Sequence, residues 1–148
     1  MKGATNANYI PAVDFCIAEM TSTQTVNVGA NWTTVGNIYA RTGYNGNVIS
    51  FNNTNSTFTV SKAGVYLVLF TNRHDSGAFG GTGIQLSDGS FTECSGERHN
   101  DVRMQHTIGV LPAGGTIVIR QYGDQGTMAG YGGLNKVTVV RLAQGGGA

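Results

Sequence analysis

An all-β sandwich is the fold class this sequence predicts, and three observations predict it. The first is composition: 23 glycines and many Asn and Thr among 148 residues, with proline only at Pro11 and Pro112. That mix favours strands and tight turns over helices. The second is periodicity, since no 3.6-residue apolar period of helical length runs along the chain. The third is the stretch from Phe58 to Phe70, FTVSKAGVYLVLF, which reads as a strand, a turn and a second strand. Its first strand, from Thr57 to Val60, alternates polar and apolar residues as a half-buried strand does. Its second is apolar without interruption from Val65 to Phe70. Both faces of that strand must therefore be covered. A second sheet of the same chain covers one of them. The other requires another chain, which predicts a symmetric oligomer.

The remaining strands follow at short, turn-punctuated intervals. Phe15 to Met20 sets Phe15, Ile17 and Glu19 against Cys16, Ala18 and Met20. Trp32 to Tyr39 carries Trp32, Val35, Ile38 and Tyr39 around a break at Gly36-Asn37. Gly43-Tyr44-Asn45-Gly46 is expected to turn into a strand from Val48 to Phe51, because Asn-Gly is the strongest short hairpin signal. Beyond Val65 to Asn72, the segment Ser76 to Thr82 reads as a loop and Gly83 to Leu86 as a short strand. Asp88-Gly89 turns into Ser90 to Cys94. Asp101 to Leu111 sets Met104, His106, Ile108 and Val110 against Gln105 and Thr107, and His106 is expected to be packed or hydrogen-bonded. Pro112-Ala113-Gly114-Gly115 turns into Thr116 to Tyr122, and Val137 to Leu142 closes the domain. Eight to ten strands with no helices between them indicate a sandwich or barrel.

Composition also excludes function classes. Charged residues make up 11% of the chain, against about 25% in an average soluble domain. Net charge is +1, and the nine Lys and Arg are scattered from Lys2 to Arg141. Nucleic-acid binding needs a basic stripe, so it is not expected. The opening MKGATNANYIPAVDF has no apolar leader, and no 18-residue apolar run is present to span a membrane. Without an export signal, Cys16 and Cys94 are expected to stay reduced and not bonded to each other. The sequons at Asn31, Asn52 and Asn55 are then accidents of an Asn/Thr-rich chain.

Catalytic sets are missing from the pattern. The acids Asp14, Glu19, Asp75, Asp88, Glu93, Glu97, Asp101 and Asp124 are dispersed, and Ser76-Gly77 and Ser95-Gly96 are plain Ser-Gly turns. Neither a nucleophile–base–orienter set nor a facing carboxylate pair emerges. His74 and His99 stand beside acids in loops but lack metal-ligand spacing. No enzyme, metal or cofactor is expected.

Several segments resemble the jelly-roll superfamily of tumour necrosis factor and the globular head of complement. In that family an aromatic-led strand, a Pro-Gly turn and a hydrophobic strand opening with Tyr follow one another. Here they stand as Phe58-Thr-Val60, Ser61-Lys-Ala63-Gly64 and Val65-Tyr66-Leu67-Val68. Pro11-Ala12-Val13-Asp14-Phe15 is similar to the family's first strand, and Val137 to Leu142 to its closing strand. Gly109-Val110-Leu111, then Gly114-Gly115 and Thr116-Ile117-Val118, stand where the family has a Leu-x-x-Gly-Asp strand pair. Ala63 replaces the usual proline and Gly115 the usual aspartate, both in turns.

The resemblance implies an antiparallel jelly roll forming a homotrimer. It places Phe58, Val60, Tyr66, Val68 and Phe70 in the core, and turns Leu67, Leu69, Val140 and Leu142 toward the three-fold axis. The expected organisation is an arm over 1–10, a jelly-roll domain over 11–143 and a flexible Gly-rich tail over 144–148. Cellular ligands of the family are secreted or tethered, so a chain without a leader fits the family's phage structural branch better. The expected function is a trimeric bacteriophage capsid decoration protein, made in the host cytoplasm and located on the virion, with the major capsid protein as partner. Candidate partner-binding residues are Met1, Lys2 and Tyr9 in the arm, Arg98 and His99 in the polar stretch from Glu93 to Asp101, and Tyr122 and Tyr131 around a Gly-rich segment. The alternative is a tail-fibre or spike knob that recognises a host surface glycan, for which aromatics on glycine turns are suited.

Overall fold

Alternating burial along each strand sorts the chain into two sheets that share one core. The computed structural model describes residues 13–19, 33–34, 40–45, 47–73, 80–96, 102–123 and 135–144. They form β1 (Phe15–Glu19), β2 (Thr33–Thr34), β3 (Ala40–Asn45), β4 (Ile49–Asn52), β5 (Thr57–Val60) and β6 (Gly64–Arg73). After these come β7 (Gly80–Leu86), β8 (Phe91–Gly96), β9 (Val102–Leu111), β10 (Thr116–Gly123) and β11 (Lys136–Gln144). One sheet has the order β3-β1-β11-β6-β9 and the other β4-β5-β10-β7-β8, with β2 pairing β10. Every pairing is antiparallel. Among the described residues, eleven strand segments stand beside the eight to ten expected for the chain, the shortest being the two residues of β2.

The chain changes sheet at nearly every connection. Among the described strands, only β4–β5 and β7–β8 join successive strands that pair with each other. The β7–β8 turn is closed by Gly89 N–H donating to Leu86 O at 3.0 Å, with Gly89 at φ 89°. Asp88 Oδ1 accepts from both the N–H and the hydroxyl of Ser90, which holds its carboxyl below the usual carboxylate range. Gly43 to Asn45, expected to open a turn, are strand instead, and Gly46 lies outside the described residues. Residues 40–45 are strand, paired with β1, and the chain leaves Asn45 for β4 in the opposite sheet. A hairpin signal specifies a local bend, but partner choice goes to whichever sheet buries the apolar side.

The core is the layer between the sheets. Cys16, Ala18, Ile49, Phe58, Val60, Tyr66, Val68, Phe70, Ile84, Leu111, Ile117, Ile119, Val137 and Val139 are all buried there. Phe51 leans on Phe58 with ring centroids 4.5 Å apart. Gly109 has no side chain because Leu86 fills the place where its Cβ would stand.

Each end of β6 carries a polar closure. At one end the Tyr66 hydroxyl donates to Lys62 O at 2.6 Å, and Arg141 Nη2 donates to Ala63 O at 2.8 Å. Arg141 N–H also donates to Asp14 O at 2.9 Å, and its Nη1 lies 3.8 Å from Asp14 Oδ2. Burial raises the Tyr66 pKa, Arg141 opposes that rise and Asp14 adds to it. At the other end Asn72 Nδ2 donates to Thr82 Oγ1 at 2.8 Å, and Gln105 Nε2 donates to the same oxygen. These three polar residues are buried between the sheets.

Gly64 is required at the first closure. A Cβ there would stand 2.6 Å from Ala143 O and 2.8 Å from Arg141 Nε. The carbonyl belongs to the paired strand and cannot swing away. Gly64→Ala is expected to lower stability by about 1–3 kcal/mol, as overpacking does, read as a lower urea midpoint at unchanged slope. Tyr66→Phe is expected to cost about 0.5–1.5 kcal/mol, the worth of one hydrogen bond. A raised folded pKa stabilises below the unfolded value and is lost as pH rises above about 10. The wild type is therefore expected to lose more stability on alkaline titration than Tyr66→Phe.

Cys16 is a buried thiol on β1, and Cys94 lies on β8. Strand β1 stacks over β4, whereas β8 stacks near β9. From β1 to β9 is three strand steps across the sheet, roughly 14 Å at the usual spacing, beyond the about 7 Å limit for a disulfide. Thiol titration of denatured, unreduced protein is expected to find two groups per chain, and zero would overturn this.

Candidate functional site

The outer face of the five-stranded sheet, turned away from the core, holds the most concentrated exposed apolar surface among the described residues. Register places its side chains in rows across four strands. Phe15, Val140, Leu67 and Ile108 form one row, and Ile17, Thr138, Leu69 and His106 the next. Val65 lies opposite Val110 at one end, and Glu19, Lys136, Thr71 and Met104 line up at the other. The face therefore grades from apolar to polar along the strands.

Exposure is largest on the edge strand β9, where Met104 is 68%, Ile108 60% and Val110 68% exposed. Val13, just ahead of β1, and Leu142 on β11 are exposed as well. Pairing shifts between Arg141 and Ala143, so Leu142 is the extra residue of a β-bulge and is pushed outward. Of the exposed large hydrophobic residues described, only Phe91 belongs to the six-stranded sheet.

The structure places Phe58, Val60, Tyr66, Val68 and Phe70 in the buried layer. Leu67, Leu69 and Val140 lie half-buried on the outer face, beside the exposed Leu142. Sequence reasoning missed Phe15, Ile17, Met104, Ile108 and Val110 as members of that face. The alternation on β1 and β9 was visible, but which side of each strand met the core was not. His106, expected to be packed or hydrogen-bonded, is exposed between Met104 and Ile108. Pairing with β6 fixes the parity, since Gln105 and Leu111 take the inward positions. Met1, Lys2, Tyr9, Arg98, His99 and Tyr131 lie outside the described residues, and Tyr122 is described only as backbone of β10.

An exposed apolar sheet face is suited to association. Among the described residues no group of three or more His, Cys, Asp and Glu converges, and no helix is long and apolar enough to cross a membrane. The two-sheet topology is shared with solved structures of low sequence identity. Eiger TNF from S. frugiperda superposes with a TM-score of 0.67 at 11% identity, covering 93% of this chain and 97% of that one. The fold is the tumour necrosis factor-like jelly roll. Murine APRIL matches this jelly roll with a TM-score of 0.63 at 11% identity, over 88% of this chain and 99% of that one. The PRD1 vertex protein P5 does so at 0.63 and 10%, over 88% and 98%. No protein-family model matches the sequence, and no curated protein matches it.

The two faces of the jelly roll's five-stranded sheet predict opposite mutational outcomes. Phe70→Ala is expected to cost about 3–5 kcal/mol of folding stability. Ile108→Ser and Val110→Ser, on exposed positions, are expected to change protomer stability by within about 0.5 kcal/mol while reducing binding of an apolar dye. Chemical denaturation at concentrations where the chain is monomeric separates the two.

Proposed function

We propose that this protein is a homotrimeric structural protein of a phage virion, and that it decorates the capsid. The observation that carries the reading is the concentration of exposed apolar side chains on one sheet face. The occupants of that face are two further copies of this chain. Charge pattern supports self-association: Glu19 and Lys136 stand opposite each other at the polar end of a face that is otherwise nearly uncharged. Burying Met104, Ile108 and Val110 further is worth about 1–2 kcal/mol for each side chain in each copy. The proposed axis-facing set is Leu67, Leu69, Val140 and Leu142, and Phe15, Ile17, Met104, Ile108 and Val110 of the same outer face are proposed as further members.

Similarity of fold to the PRD1 vertex protein P5 supports a place on a virion. Decoration acts by mass action, because a trimer that binds only the assembled shell stabilises it. The partner is the major capsid protein, gripped through the arm over 1–10, including Met1, Lys2 and Tyr9, and through the stretch with Arg98 and His99. Tyr122 and Tyr131 belong to a competing surface. The reading assigns no catalysis and no cofactor. A second reading, a receptor-binding knob, is favoured by an open groove on the outer face of the six-stranded sheet, lined by Gln85, Phe91, Glu93 and Arg120.

Sedimentation equilibrium is expected to give three times the protomer mass. Leu67→Asp or Leu69→Asp is expected to dissociate the trimer, because three desolvated like charges would meet at the axis. A stable wild-type monomer would sink the reading. Deleting Met1 to Asn8 is expected to leave the trimer folded and weaken its binding to undecorated capsids. Equal capsid binding removes the arm from the grip, and binding to host cells in place of capsids selects the knob.

A further inference from the structure

On the outer face of the six-stranded sheet, β7 presents Gly81, Gly83 and Gln85 outward, since Thr82, Ile84 and Leu86 point into the core. Register sets Gly83 between Arg120 of β10 and Glu93 of β8. Gly81, one position further along this face, lies between Tyr122 and Ser95 in the same way. Gly83, having no side chain, leaves a gap on this face between Arg120 and Glu93. Phe91 leans into it, because a Cβ on Gly83 would fall on its ring, 2.7 Å from Cε2. The ring lies on the sheet backbone and still exposes 39% of the residue.

Three polar groups surround that ring. Arg120 Nε donates to Gln85 Oε1 at 2.7 Å, which pins the guanidinium in place. A guanidinium only donates, so the Gln85 oxygen faces Arg120 and its NH2 is directed elsewhere. Glu93 is exposed and supplies a carboxylate acceptor. Together Gln85, Phe91, Glu93 and Arg120 line an open groove of about 370 Å³, within the size range of small-molecule sites.

We propose that this groove binds one neutral pyranose residue of a carbohydrate. A sugar ring has an apolar C–H face that stacks on an aromatic side chain and a rim of hydroxyls that both donate and accept. Phe91 takes the face, Glu93 accepts from hydroxyls, and the Gln85 amide with Arg120 donates to them. A bare anion is disfavoured by Glu93, a bare cation by Arg120, and an alkyl ligand by the polar surround. The site is independent of the trimer reading, because it lies on the sheet opposite the apolar face. In a trimer all three copies would stay displayed, and modest single-site affinity would be multiplied by avidity.

Saturation-transfer NMR on the full chain tests this, with the methyl glycosides of glucose, galactose, mannose, rhamnose, N-acetylglucosamine and N-acetylgalactosamine as probes. At least one glycoside is expected to receive transfer on the protons of one ring face. Phe91→Ala is expected to abolish it, and Glu93→Gln, which preserves shape, to weaken binding about tenfold, the loss of one charge-assisted hydrogen bond. Thermal midpoints of the variants verify folding, and Glu93→Gln remains decisive if Phe91→Ala is unstable. No transfer from any glycoside overturns the proposal, as does transfer unchanged in Glu93→Gln. Loss of capsid binding in both variants without glycoside binding makes the groove a protein contact, and the carbohydrate site is then wrong.

Discussion

The alternate residues of β6 answer to two different neighbours, and the rest of the architecture follows from that division. Tyr66, Val68 and Phe70 are fully buried against the six-stranded sheet. Val65, Leu67 and Leu69 emerge on the opposite face with only other strands beside them. The cost of leaving that second row in water scales with its apolar area. Strands β11 and β9 flank it and carry Val140, Ile108 and Val110 in register. The apolar row thus widens into a face instead of remaining an isolated ridge. One sheet of one chain can satisfy one side of such a strand only.

The sandwich is closed at its ends by polar contacts, where the apolar layer runs out. Arg141, Tyr66, Asp14 and the Ala63 carbonyl tie three segments at one end. Asn72 and Gln105 converge on the Thr82 hydroxyl at the other. Each closure bridges segments distant in sequence, so a register slip of one residue would break it as well as invert the burial pattern. Among the described residues Arg141 Nε and Gln105 Oε1 are buried without a hydrogen-bond partner. Such groups carry the cost of desolvation, which makes the two ends sensitive to small changes in geometry.

Glycine does different work on the two sheets. At Gly64 and Gly109 the missing Cβ lets the carbonyl of Ala143 and the side chain of Leu86 approach closely, which serves packing. At Gly83 it leaves room for an aromatic ring from the next strand, and so turns a polar sheet surface into a groove. The apolar face and the groove therefore lie on opposite sides of the sandwich. Association through one leaves the other accessible.

The all-β class, the position of most strands and the two-sided demand of β6 were legible in the order of residues alone. They depend on period-two alternation and on turn formers, which are local properties. The resemblance carried by Phe58 to Val68 led to the jelly roll for the same reason, since its motif spans one sheet crossing. Tertiary structure decided what alternation cannot express. It set which side of β9 meets the core, turning Gln105 inward and Met104, Ile108 and Val110 out. It sent the chain from Asn45 to the opposite sheet instead of into a hairpin. It also brought Phe91, Glu93 and Arg120 around Gly83. Each of these is a choice of partner strand, and pairing is settled by how two sheets together bury the most apolar surface. A single strand read by itself does not contain that information.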